Sequence, residues 1–209
     1  MEKTQFSPKR DSATRGNASQ FFVAGELCRR EIIASITLGN SPNVDILCSN
    51  KLGTRFVHVQ VKTFVPGAKS VLVGRKASVD RGPNLVWVLA GIPREDQPSK
   101  AFEYYVIPSP AMAAFAKDEH GRWLATPGRN GQPHQDNSAV AISLSSTTPM
   151  PDGTISSYLN KWSHIKDLLS ETGREKSDEN FLELDWESES DMKFLETLNL
   201  GVPILDKTP

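Results

Sequence analysis

The stretch VDILCSNKLGTRFVHVQVKTF, Val44 to Phe64, decides how this chain is read. Its middle, NKLG (Asn50–Gly53), has the permissive backbone of a tight turn. The flanks, VDILCS and TRFVHVQVKTFV, are strands by their β-branched content and alternation. On the second strand Val57, Val59, Val61 and Val65 point one way, and Phe56, His58, Gln60, Lys62 and Phe64 the other. If the two flanks form a hairpin, Asp45 faces the region of His58 and Gln60 across the ladder. Gln60 and Lys62 are two apart and share a face. A lysine between Val61 and Thr63 in a core strand needs an anionic partner or an exit to water.

Upstream, NASQFFVAGELCRREIIASI reads as a helix capped by Asn17 or Ser19, with Phe21, Gly25, Cys28 and Ile32 as its buried stripe and Glu26 at the stripe's edge. LGNSPN, with Gly39 and Pro42, ends it. Downstream, SVLVG reads as a short strand and NLVWVLAGI as a central strand buried on both faces. FEYYVIP is a further strand, ended by Pro108, and SPAMAAFAKDE opens a helix with Ser109 as cap and Pro110 at its first position. The segment from Gly121 to Met150 is irregular and contains AVAISLS, an edge-strand candidate. TISSYLNKWSHIKDLLSETG reads as one helix with Tyr158, Trp162, Ile165 and Leu169 on its apolar face and Gly173 at its end. This order predicts an α/β domain with a mixed central β-sheet flanked by helices. The expected organisation is a flexible leader over 1–16, one domain over 17–172 and an acidic tail over 173–209.

The 209 residues suffice for one good-sized core and fall short of two. There is no apolar run of the roughly 20 residues a membrane-spanning helix needs, and the polar first residues lack the apolar centre of a secretory signal. Cys28 and Cys48 lack a Cys or His at metal-finger spacing, and the four histidines are scattered, which argues against zinc. Both cysteines read as reduced, mostly buried thiols of a cytoplasmic protein. The net charge of −1 hides a segregation. Lys51, Arg55, Lys62, Lys69, Arg75, Lys76 and Arg81 face one acid, Asp80, whereas Glu171 to Glu196 is strongly acidic. Such asymmetry marks either a polyanion-binding face with an acidic tail, or two solvated faces.

Asp45, Gln60 and Lys62 suit phosphodiester hydrolysis. A hard cation such as Mg²⁺ (or Mn²⁺) takes one or two carboxylates together with neutral oxygens, waters and phosphate. Asp45 offers the carboxylate, Gln60 its side-chain carbonyl and Val61 its backbone carbonyl, with Glu26 assisting through a water if the first helix packs along that edge. Lys62 is placed to orient the attacking water or to stabilise charge at the phosphate.

An acid on the first helix, an Asp, then an acid or Gln one residue before a Lys on the next strand resembles the PD-(D/E)XK nuclease superfamily, which includes restriction endonucleases, Holliday-junction resolvases and some homing endonucleases. The residues that carry the likeness are Glu26 in VAGELCRREI, Asp45 in NVDIL, and Gln60 with Lys62 in VQVKTF. It covers roughly residues 18 to 115. Val44 replaces the Pro of the motif, which contacts no metal, and Gln60 replaces the usual acid, which removes one negative charge from the ion's surroundings. The resemblance implies a restriction-endonuclease-like core, Mg²⁺- or Mn²⁺-dependent DNA hydrolysis, and catalytic roles for Glu26, Asp45, Gln60 and Lys62. Lys69, Arg75, Lys76 and Arg81 would then hold phosphates near the cleft by charge neutralisation. A homodimer, and a protein partner recruited by the tail, are further expectations.

Each residue also has a plainer reading. Asp45 caps a turn or pairs with Lys62, Gln60 satisfies backbone groups at a sheet edge, and Glu26 pairs with Arg29 or Arg30 at helical spacing. His58 reads as a structural histidine, and Trp87, Trp123 and Trp162 as core. The corresponding rivals are a catalytically inactive nuclease-fold module for nucleic-acid binding or assembly, and an unrelated α/β protein in which Asp45 and Lys62 form only an ion pair.

Overall fold

The computed structural model describes residues 12–37, 41–128, 130–136 and 139–170. The acidic tail and Gly173 lie outside them. Ten regular elements follow in order: α1 (Ser12–Cys28), β1 (Ile33–Ile36), β2 (Ile46–Ser49), β3 (Phe56–Phe64), β4 (Ser70–Leu72), β5 (Leu85–Gly91), β6 (Glu103–Pro108), α2 (Ser109–Ala125), β7 (Ala141–Ser143) and α3 (Ser163–Leu169). Five strands form one sheet in the order β1-β2-β3-β5-β6. β3 and β5 run parallel and every other pairing in that sheet is antiparallel. This is the mixed central sheet with flanking helices that the sequence predicts. No helix among the described residues is long and apolar enough to cross a membrane.

The β2–β3 hairpin forms as the sequence suggests. Asn50 Oδ1 accepts the Thr54 and Arg55 N–H groups at 2.9 and 3.2 Å, and Gly53 takes a positive φ of 67°. The register pairs Leu47 with His58 and Ile46 with Val59. Alternation along β3 then sends Val57, Val59 and Val61 into a core beneath α1 and α3, while Phe64 enters a second core beneath α2. β5 feeds both: Val86, Val88 and Ala90 join the first core, and Leu85, Trp87 and Leu89 the second. Every residue of β5 is buried. Gly91, at its end, lies under the Phe64 ring, whose Cζ would be 2.6 Å from any added Cβ, so only glycine fits there. The two-stranded β4–β7 sheet also packs over the second core.

Three segments differ from the sequence pattern. α1 begins at Ser12, five residues before Asn17, and ends at Cys28. The IIASI segment is not its continuation: Glu31 takes φ 64°, the helix stops, and the β-branched run enters the sheet as β1. The buried stripe of α1 is Ser19, Val23, Ala24 and Leu27, whereas Phe21 is 68% exposed. Ser19 is no cap; its hydroxyl donates to the Gly16 carbonyl at 2.7 Å and bonds the Thr63 hydroxyl at 2.6 Å, which ties α1 to β3. Cys48 is buried as expected, with burial pushing its thiol up to about 12, but Cys28 is exposed.

The single helix expected from Thr154 to Gly173 is broken in two. A 3-10 turn, Ile155–Tyr158, precedes α3, and between them Leu159 bridges Tyr105 of β6 while the Asn160 N–H donates to the Tyr104 carbonyl at 2.6 Å. Asn160 takes φ 53°, a conformation its short polar side chain tolerates. The chain here crosses the β6 edge of the sheet. Tyr158 belongs to one core and Trp162, Ile165 and Leu169 to the other, so the four residues do not share one helix face.

The two readings of α1 separate under mutation. Leu27→Ala should cost about 2–5 kcal/mol in urea unfolding, as a truncation inside a packed core does. Phe21→Ala should stay within about 0.5 kcal/mol.

Candidate active site

β3 runs on to Phe64, but its ladder with β2 stops at Ile46 and Val59. Asp45 is the residue at that end. Its N–H donates to the Val59 carbonyl at 2.9 Å, and its carbonyl accepts the Thr37 N–H at 3.0 Å, so its backbone is fixed on both sides. Its side chain takes over where the ladder ends: Oδ2 accepts the Val61 N–H at 2.7 Å and also the Gln60 amide. Oδ1 accepts Gln20 Nε2 of α1 at 3.2 Å. Because residues two apart on a strand turn their backbone groups to the same edge, the Val61 carbonyl lies on the edge that β2 has vacated.

Asp45, Gln60 and Lys62 line one cleft of about 650 Å³ with Asn43, Arg75, Lys76 and Trp87. Burial pushes the Asp45 carboxyl above the usual carboxylate range, and the Val61 N–H, the Lys62 charge and the Gln60 amide offset this only in part. Two buried polar atoms on the same wall, Asn43 Oδ1 and Trp87 Nε1, have no hydrogen-bond partner among the described residues. The cleft is thus a half-dry place with one carboxylate, spare acceptors and a cationic side.

The structure brings together Asp45, Gln60, Val61 and Lys62. It does not bring Glu26 to them. Glu26 receives Arg30 at 2.6 Å and Arg29 at 2.8 Å, and Arg30 in turn stacks over Trp162 at 4.6 Å. Burial would raise the Glu26 carboxyl, but the two guanidinium groups outweigh it and hold it below its ordinary value. The helical pairing with Arg29 and Arg30 is the arrangement seen. What α1 offers Asp45 is Gln20, six residues or about 9 Å back along the axis. The signal for it was present: Gln20 stands three and four residues before Val23 and Ala24, the true stripe.

Of the four phosphate-binding candidates, Arg75 and Lys76 line the cleft, on a 3-10 turn spanning Arg75–Ser78. Arg75 is ion-paired to Asp136, which also receives His120. Lys69 is exposed just before β4, and Arg81 is exposed with its N–H bonded to Ser109 Oγ at the start of α2. Trp87 and Trp162 are core, as expected. Trp123 is not: it is 38% exposed and stacked between His120 and His134 at 5.5 and 4.0 Å.

No family model matches the chain, and no curated protein does. One solved structure, that of a bacterial homing endonuclease, aligns with 75% of this chain and 94% of its own at 14% identity and a TM-score of 0.44. At that level the likeness decides nothing about the site, whose chemistry rests on the geometry above.

Two mutations test the electrostatics. Asp45 has a raised carboxyl, so its charged form costs stability at neutral pH, and the cost fades as pH falls through the raised value toward about 4. Relative to wild type, Asp45→Asn should therefore stand highest at pH 7 and lose ground on acidification in a pH-resolved melting series. Glu26 has a lowered carboxyl, so its contribution is present above about pH 4.3 and is lost below it. Glu26→Gln should cost about 1 kcal/mol at pH 7 and almost nothing in acid, measured by denaturant unfolding at both pH values.

Proposed function

We propose that the chain is a metal-dependent nuclease acting on DNA phosphodiester bonds, of the PD-(D/E)XK kind. The observation that carries this is the convergence of Asp45, Gln60, Val61 and Lys62 where β2 ends beside β3. The donor set fits Mg²⁺ or Mn²⁺: one carboxylate, the Val61 carbonyl on a free edge, and an amide whose oxygen faces Asp45 once the group is turned over. Asn43, which lines the same cleft and whose Oδ1 has no partner among the described residues, adds a further hard oxygen. A cation held there would supply Lewis-acid polarisation of the phosphate and a water of lowered pKa.

The residues do the rest. Asp45, Gln60 and Val61 hold the cation. Lys62 donates to a non-bridging phosphate oxygen and stabilises the charge that grows as water adds and the P–O bond breaks. Arg75 and Lys76 at the rim neutralise neighbouring phosphates. Gln20 keeps the Asp45 carboxylate oriented. Glu26 braces α1 through its arginines instead of assisting the ion.

A specific observation favours the rival, a nuclease-fold module without catalysis. Asp45 is the one acid among the described residues that line the cleft, so it would carry the ion without a second carboxylate there. Titration of Mg²⁺ and Mn²⁺ separates the two. The nuclease should show a metal-dependent rise in melting temperature that Asp45→Asn abolishes, and metal-dependent DNA cleavage that falls at least about a hundredfold in Lys62→Ala and Asp45→Ala with folding kept. Metal-independent melting and an intact substrate would leave the module. Wild-type cutting by either mutant would end the proposed mechanism.

A further inference from the structure

β3 and β5 are the parallel pair of the sheet, and beyond their carboxyl ends lies a second cleft, of about 510 Å³. The side chains that matter are Arg15 of α1, Thr63 of β3, and Arg94, Gln97 and Lys100 of the loop after β5. Three of the described residues lining the cleft are cationic and none is acidic.

Two of the cations are anchored at the wall. Arg15 donates to the Ile92 carbonyl at 3.1 Å and Lys100 to the Pro66 carbonyl at 2.9 Å. Each bond leaves further N–H donors on the same cationic head. The third is incomplete: among the described residues, Arg94 Nε is buried without an acceptor and nearby Gln97 Oε1 is buried without a donor. Buried polar groups in that state are costly, and three like charges around one cleft repel. An anion that accepts from the cations and carries a hydroxyl for Gln97 relieves both. A carboxylate has two oxygens to share among three cations, whereas a phosphoryl group has three and, near its second ionisation, an O–H as well.

We propose that this cleft is a phosphoryl-binding site for a phosphate monoester, such as a nucleoside monophosphate or the phosphorylated end of a nucleic-acid strand. It uses none of Asp45, Gln60 or Lys62 and stands independently of the nuclease reading.

The test uses the full chain in EDTA, so that metal binding plays no part. Calorimetric titration with inorganic phosphate should show saturable binding, weakened about tenfold or more in Arg94→Gln and in Arg15→Gln and unchanged in Arg55→Gln, an exposed cation at the amino end of β3. On phosphate titration of the wild type, the Gly67 and Lys100 amide resonances should shift along the same curve, a readout that needs no variant. A nucleoside 5′-monophosphate, and an oligonucleotide with and without a 5′-phosphate, then name the source: preference for the phosphorylated strand over its hydroxyl twin assigns a strand end, and equal affinity of the free nucleotide assigns a small ligand. Absence of phosphate binding, retention of full affinity by the folded Arg94→Gln protein, or an equal loss of binding in Arg55→Gln would overturn the proposal.

Discussion

A strand that outlasts its neighbour leaves backbone groups with nothing to bond, and a half-buried edge does not tolerate that. β3 faces this problem past Val59, and the chain solves it with a carboxylate: Asp45 Oδ2 takes the Val61 N–H at 2.7 Å. Much of the site follows. To reach Val61, the Asp45 side chain must lie along the sheet edge, which brings it against Gln60 and within the field of Lys62. Because its backbone is bonded to both Val59 and Thr37, it has little freedom to leave. A local repair of hydrogen bonding thereby fixes an acid at the mouth of a cleft.

The arrangement is costly to the protein, and that is informative. Burial penalises the Asp45 charge even as its carboxylate serves the Val61 N–H, and among the described residues Asn43 Oδ1 and Trp87 Nε1, which line the same cleft, have no partner. Folded chains keep such groups where function needs them. By contrast Glu26 is well served by two arginines and contributes to the folded state in the ordinary way. The two acids look alike in the sequence and differ in what surrounds them.

Much of the fold was legible because β-strand alternation is a strict signal. Val57, Val59 and Val61 against Gln60 and Lys62 fixed both faces of β3, and the unbroken apolar run of β5 marked it as central. The helices were less legible. On α1, Phe21 and Cys28 share a helical spacing as good as that of Val23 and Leu27, and only packing against the sheet selects between them. That shift of stripe carried Glu26 away from Asp45 and hid Gln20. The break at Asn160 was invisible for a related reason: Tyr158, Trp162, Ile165 and Leu169 keep helical spacing although they serve two separate cores. The cleft beyond β3 and β5 was unreadable because Arg15 is far along the chain from Arg94 and Lys100 and meets them only through topology.

The crossing at Leu159 and Asn160 also bears on how the sheet ends. By bonding to Tyr104 and Tyr105, it occupies an outer rim of β6 that would otherwise invite a foreign strand. At the opposite margin stands β1, only four residues long. One border is covered by the protein's own backbone and the other is brief, so neither makes a good template for runaway strand addition. The layer can thus carry strongly β-forming segments such as LVWVLAG without becoming a seed for fibrils.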